Sequence, residues 1–136
     1  MTRSFAPRGY HSITPYFLVS DAESFLAFMK GAFDALELNR GTDESGTITH
    51  AEVQIGDAIV ELSTGQGRFP PRTNTVHLFV ENTDTTYRKA LAAGAATVYE
   101  PAEMPYGERS AGVEDPFGNH WYIASFHGGP AKGYYD

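Results

Sequence analysis

Histidine, glutamate and tyrosine recur at alternate positions of several short, β-rich segments of this chain. Because neighbouring residues of a strand point to opposite sides of a sheet, the polar members fall on the side away from the apolar ones. In the segment 58–63, Val60 and Leu62 form the apolar set and leave Glu61 on the other side. The same reasoning collects Tyr16, His50, Glu52, Glu61, His77, Phe79, His120 and Tyr122. Imidazole, carboxylate and phenol groups beside aromatic rings predict a cavity wall that can bind a ligand and exchange protons.

Within this set, Glu61, His77 and Tyr122 favour the cavity interpretation most strongly. We expect His77 to act as a hydrogen-bonding group or general base oriented by Glu61, with Tyr122 as a hydrogen-bond donor. For His50 and Glu52, a position outside the cavity has equal weight. Their segment could lie toward a sheet edge, so that both side chains face solvent or a partner subunit.

The elements that position these residues follow from an internal repeat. The stretch 14–21 recurs as 75–82, an offset of 75 − 14 = 61 residues, with Asp21 over Asn82. A helix is predicted after each stretch, and Ser20 is the expected N-cap of the first one, with Glu23 completing a capping box. Each half then closes with a strand that follows a glycine, Gly56 in the first and Gly118 in the second.

Two units of the order βαβββ are therefore predicted. The expected strands are 13–19, 36–40, 47–55, 58–63, 75–80, 96–100, 109–114 and 120–126, with a loop over 101–107. We expect one domain made of module one (12–63), a linker (64–73), module two (74–126) and a flexible tail (127–136). One helix covers only one face of a four-stranded sheet, so the other face must meet a neighbour or a ligand.

The repeated order resembles the vicinal oxygen chelate superfamily, which holds glyoxalase I, extradiol dioxygenases, fosfomycin-resistance enzymes and bleomycin-binding proteins. The turn Asp115-Pro116-Phe117-Gly118-Asn119 and the Val-x-Asp or Val-x-Asn before each helix carry the resemblance. It covers residues 12–126, and the stretch 106–124 looks most like the PhnB-like branch. The resemblance implies an α+β fold in which two βαβββ modules form a glyoxalase-like paired-sheet cleft. It does not specify the reaction, because this fold carries unrelated activities.

The resemblance also bears on whether this protein binds a metal ion. Metal-dependent members take one ligand from the first and one from the last strand of each module, which here are Thr14, Glu61, Thr75 and Tyr122. Only Glu61 has the expected type, and neutral hydroxyls are poor ligands for a divalent transition metal. We therefore expect no metal and no cofactor at the usual site. The alternative is a divalent metal at a non-standard site that combines Glu61 with His50, His77 or His120.

Three functions remain open. The favoured one is a metal-free protein that binds a small aromatic or cationic ligand, as bleomycin-sequestering members do, with Tyr16, Phe79, Tyr106 or Tyr122 for stacking. The second is a glyoxalase-like or dioxygenase-like lyase or isomerase that uses Glu61 and His77, in which Arg109 could bind a substrate carboxylate. The third is an interaction module without a small ligand. Trp121 falls on the core side, and the resemblance implies a homodimer.

Composition sets the remaining limits. Ten basic and seventeen acidic residues give 10 − 17 = −7, which argues against nucleic-acid binding and favours a cationic ligand. The chain has no cysteine, so disulfides and thiolate metal sites are excluded. No apolar run approaches the roughly eighteen residues that a membrane span needs. We expect a cytoplasmic protein that has a small-molecule ligand and no membrane contact.

Overall fold

The computed structural model describes residues 5–128. Module one consists of β1 (Tyr16–Val19), α1 (Ala22–Phe33), β2 (Leu36–Thr42), β3 (Ile48–Ile55) and β4 (Ala58–Thr64). Module two consists of β5 (Thr75–Phe79), α2 (Thr83–Ala92), β6 (Ala96–Met104), β7 (Glu108–Glu114) and β8 (His120–Phe126). The predicted α+β fold with two βαβββ modules is confirmed.

Backbone contacts divide the chain into two compact units, with the main boundary between Thr73 and Asn74. The last turn of α1, Gly31–Phe33, groups with the second unit. Between β4 and β5 the chain makes a small turn in which Gln66 and Phe69 form an isolated β-bridge. Apart from His127 and Gly128, the tail predicted to be flexible lies outside the described residues.

The two sheets have the same strand order and the same register. Module one is ordered β1-β4-β3-β2 and module two β5-β8-β7-β6, and the first pair of each sheet is parallel. Tyr16 lies opposite Glu61 in module one, and His77 lies opposite Tyr122 in module two. The offset of 61 residues relates both members of each pair, because 77 − 16 = 61 and 122 − 61 = 61. The sequence repeat therefore corresponds to a repeated strand framework.

The core of module one is apolar and combines aliphatic with aromatic side chains. Its fully buried members include Phe17, Val19, Phe25, Leu26, Met29, Val53 and Leu62. Two predictions at the start of this module are wrong. The side chain of Asp21, and not that of Ser20, caps α1 by accepting a hydrogen bond from the Ser24 N–H at 3.1 Å. Ile13 is 87% exposed and precedes the strand, which begins only after Pro15 because proline cannot donate a ladder hydrogen bond.

The core of module two contains Ala90, Ala111, Val113, Trp121, Ile123 and Ala124. The loop predicted over 101–107 is wrong, because β6 continues through Pro101 to Met104. The proline is tolerated since β6 is an edge strand and its pairing with β7 shifts between Tyr99 and Ala102. An edge position and a local bulge are the two places where a strand accommodates proline.

Candidate functional site

A row of three polar side chains crosses the sheet of module one on the face opposite the helix. Glu61 on β4 lies between Tyr16 on β1 and Glu52 on β3, as paired positions of the sheet. Directly opposed carboxylates repel each other across a strand pair, so both need compensating donors. The predicted grouping of Tyr16, His50, Glu52 and Glu61 on one face therefore agrees with the register.

Each carboxylate of this row has its own donors. The Nε2 atom of His50 lies 2.8 Å from Oε1 of Glu61. Glu52 accepts hydrogen bonds from the Tyr10 hydroxyl and, at 2.6 Å, from the side-chain amide of Asn39. The Tyr10 hydrogen bond is the main cause of the lowered pKa of Glu52. Burial, followed by the bond to Glu52, raises the pKa of Tyr10 to about 12. At neutral pH, Glu52 is thus an anion and Tyr10 a protonated donor.

One cluster among residues 5–128 has the composition of a metal site. A ligand atom from each of His50, Glu52 and Glu61 lies within 4.8 Å of the other two. One imidazole and two carboxylates form an N/O set of the kind that holds divalent transition metals. The positions implied by the family resemblance do not fit a metal, because they carry hydroxyl groups at three of four places. A metal in module one would be held by His50, Glu52 and Glu61.

Module one also has a recess of about 410 Å³, and one of its lining residues, Tyr16, lies opposite Glu61. Its lining residues are Tyr16, Leu18, Thr49, Ser63, Thr64, Gln66 and Phe69. The Tyr16 hydroxyl is hydrogen-bonded to the Ser63 hydroxyl, and its ring centroid lies 5.9 Å from that of His50. The ring of Phe69 is 61% exposed, and the guanidinium of Arg68 lies 5.4 Å from its centroid. The recess therefore has aromatic and hydroxyl-bearing walls, and the carboxylates of Glu61 and Glu52 follow Tyr16 on the neighbouring strands of the same sheet.

In module two the corresponding face carries a histidine beside a buried carboxylate. Nε2 of His77 lies 3.1 Å from Oε1 of Glu108, a side chain that is 1% exposed. No hydrogen bond joins the two groups, and this buried oxygen has no hydrogen-bond partner among the described residues. Within module two the carboxylate beside His77 is that of Glu108. The orientation of His77 by Glu61 stays a prediction.

Glu108 was missed because it directly follows the stretch expected to be a loop. The signal was present in the alternation of β7, where Ala111 and Val113 mark the core side and Glu108, Ser110 and Gly112 the other side. A strand predicted one residue earlier would have included Glu108 in the polar set.

Other predicted site residues surround His77 on the same face. The ring centroid of Phe79 lies 4.7 Å from that of His77, and the ring centroid of Tyr122 lies 6.0 Å from that of Tyr99. His120 pairs with Glu114 at 2.9 Å and lies edge-on to Tyr122. Tyr106 is half-buried in the turn between β6 and β7. The structure therefore places His77, Phe79, His120 and Tyr122 together on one sheet face.

The arginine that was considered for substrate binding has acidic partners. Arg109 donates through Nε and Nη2 to the two carboxylate oxygens of Asp84, at 2.5 and 3.0 Å. It also contacts Glu103 at 3.3 Å. The Asp84 hydrogen bonds raise the pKa of Arg109 and, reciprocally, lower that of Asp84. Arg109 therefore fastens α2 to the sheet, and the role in binding a substrate carboxylate is not supported.

The fold and the repeated register define a protein of the paired βαβββ class. The family model for the Glyoxalase/Bleomycin resistance protein/Dioxygenase superfamily matches residues 10–123. The chain belongs to this superfamily. Among residues 5–128, no helix combines the length and apolar character needed to cross a membrane.

Individual relatives add limited detail. An uncharacterized protein of Mycobacterium bovis is 33% identical over 123 residues, covering 82% of this chain and 81% of the relative. The crystal structure of TioX from Micromonospora sp. ML1 matches with a TM-score of 0.71 and 22% identity, covering 85% of this chain and 95% of TioX. A PhnB protein from Bacillus cereus matches with a TM-score of 0.65 and 19% identity, covering 85% and 99% of the two chains. These structural matches show the fold alone.

Proposed function

We propose that this protein binds a small organic cation with an aromatic part. The proposed site is the sheet face of module one that carries Tyr16, Glu52 and Glu61. The observation that carries the proposal is the row Tyr16, Glu61 and Glu52, in which an aromatic wall of a recess of about 410 Å³ is the strand neighbour of two opposed carboxylates. Aromatic walls with a few charged groups at one side are the usual composition of a small-ligand site. The excess of acidic residues would attract the same class of ligand from solution.

Charge and shape supply the recognition. Glu52 is ionised and held by Tyr10 and Asn39, so it presents a fixed negative charge. A ligand cation beside Glu61 would stand between the two carboxylates and relieve their repulsion. The exposed ring of Phe69 already has the Arg68 guanidinium over one face, which supports a cation–π contribution from this ring.

The superfamily supports binding without deciding the ligand. Its description includes bleomycin resistance proteins, and a drug-sequestering role is part of our proposal for this chain. Membership of the PhnB-like branch is proposed on the match to the Bacillus cereus protein.

We also propose a homodimer. Exposed apolar side chains on β2, Leu36 and Leu38, support it, and sedimentation equilibrium would measure the mass.

The proposal is tested by titration calorimetry with benzyltrimethylammonium as the probe and benzoate as the oppositely charged control. We expect Glu61→Gln and Phe69→Ala each to weaken binding of the cation by about 5-fold to 10-fold, near 1 kcal/mol. Glu44→Gln, an exposed carboxylate in the turn between β2 and β3, serves as the matched control and should leave affinity unchanged. Equal binding of benzoate, or full affinity in Glu61→Gln, would refute the proposal.

A second arm addresses the metal alternative. Zinc or manganese chloride is titrated into the protein and into His50→Ala. One outcome would overturn the proposal of an organic ligand in favour of a metal site. In that outcome the protein binds the metal but not benzyltrimethylammonium, and His50→Ala abolishes the metal binding. Binding of the organic cation that His50→Ala leaves intact would support the proposal.

A further inference from the structure

The most anomalous polar group among residues 5–128 is the carboxylate of Glu108. Its side chain is 1% exposed, and Oε1 accepts no hydrogen bond from the described residues. Taking a carboxylate out of water without donors costs several kcal/mol, so such a group needs a nearby partner that can become positively charged. The group in that position is the imidazole of His77, with Nε2 at 3.1 Å.

The orientation of His77 separates the roles of its two nitrogens. Nε2 faces Glu108, while the side chain as a whole is 41% exposed. A carboxylate next to one ring nitrogen favours the proton on that nitrogen and leaves the other as the acceptor. Nδ1 is therefore the atom of His77 that is available to take a proton from a bound molecule.

We propose that His77 and Glu108 form a proton-transfer pair, in which His77 is a general base and Glu108 its positioning residue. This inference does not depend on the ligand site of module one. The substrate class is a small molecule with an aromatic or apolar part and an acidic C–H bond. The exposed ring of Phe79, 4.7 Å from that of His77, supplies the apolar contact, and Tyr122 lies opposite His77 on β8.

The step is a simple proton abstraction. Nδ1 of His77 takes the proton of the C–H bond, and the electron pair of that bond moves into an adjacent electron-accepting group of the substrate. The resulting imidazolium of His77 and the carboxylate of Glu108 then form an ion pair, which compensates both charges. A fixed, water-excluded charge stabilises a developing opposite charge more strongly than an exposed one does.

A second histidine–carboxylate pair, outside the predicted site residues, serves as the control. Nε2 of His127 lies 3.0 Å from Oε1 of Glu103, close to the separation in the His77–Glu108 pair. Glu103 is 61% exposed, whereas Glu108 is 1% exposed. Comparing the two pairs therefore tests whether a buried carboxylate is needed beside the histidine.

The test uses 5-nitrobenzisoxazole, an aromatic carbon acid. A base removes its C3 proton, the C–H electrons form a nitrile, and the N–O bond breaks to give a phenolate whose absorbance is followed. We expect His77→Gln and Glu108→Gln each to slow this elimination by about tenfold or more, within the range of general-base effects. His127→Gln and Glu103→Gln should change the rate by less than about twofold. An absence of activity in the unaltered protein, or equal losses in both pairs, would overturn the proposal.

A structural readout decides the role of Glu108 even if Glu108→Gln does not fold. Nitrogen-15 NMR of the unaltered protein reports which ring nitrogen of His77 carries the proton. We expect Nε2 to be protonated, and in a folded Glu108→Gln variant we expect a mixture of both tautomers. A proton found mainly on Nδ1 of the unaltered protein would contradict the assignment, whatever the kinetics show.

Discussion

The turn before β8 is held by a single buried carboxylate, and its removal should destabilise module two strongly. Asp115 is 3% exposed. Its Oδ1 accepts from the backbone N–H groups of Phe117 and Asn119, at 2.8 and 3.0 Å. Its Oδ2 accepts from the Asn119 side-chain amide at 3.0 Å and from the Trp121 indole N–H at 2.9 Å. One side chain therefore satisfies four donors.

Asp115→Ala would leave these donors without an acceptor in a buried turn. An orphaned buried donor costs about 1–3 kcal/mol, and partial relaxation of the turn limits the total to about 3–4 kcal/mol of unfolding free energy. Asp115→Asn keeps the Oδ1 acceptor but places an amide against the indole N–H of Trp121, which should cost about 2 kcal/mol.

The assay is urea denaturation followed by the fluorescence of Trp121, the single tryptophan of the chain, together with far-UV circular dichroism. Glu114→Gln is the control, because its carboxylate is half-exposed, and it should stay within about 0.5 kcal/mol of the unaltered protein. A loss below about 1 kcal/mol in Asp115→Ala would refute this account of the turn.

Two further outcomes follow from the packing and from the charges. Gly112→Ala should cost about 1–3 kcal/mol in urea denaturation, because the added Cβ would lie 2.5 Å from the Tyr99 ring. Tyr99→Leu in the same chain should recover part of that loss. Hydrogen bonds from Arg40 and then Lys30 hold the pKa of Glu37 at about 2, below its ordinary 4.5. The stability that Glu37 contributes is therefore present above pH 4.5 and lost as the pH falls toward 2. Melting temperatures over this range should fall less steeply in Glu37→Gln.

The sequence predicted the features that depend on local pattern. Strand alternation placed Tyr16, Glu61, His77 and Tyr122 on the face away from the core, because a period of two fixes the side on which a residue lies. The repeat at 61 residues predicted the equivalent registers of the two modules. The burial of Trp121 was also predicted correctly.

The errors concern the ends of elements. Glu108 was left out of the polar set because β7 was predicted to begin one residue late, at Arg109. The continuation of β6 through Pro101 depends on its place at the edge of the sheet, which is a property of the whole sheet. The cap of α1 differed by one residue, Asp21 in place of Ser20, since both residue types can cap a helix.

The irregular outer strands limit how copies of this protein can associate. In each sheet the outer antiparallel strand, β2 or β6, carries two register shifts, and β6 also contains Pro101. The opposite edges are the short strands β1 and β5, of four and five residues. Bulges, proline and short length all hinder the addition of a strand from another chain. A dimer of this protein should therefore form through side chains, and the protein should resist fibril growth by edge-to-edge pairing.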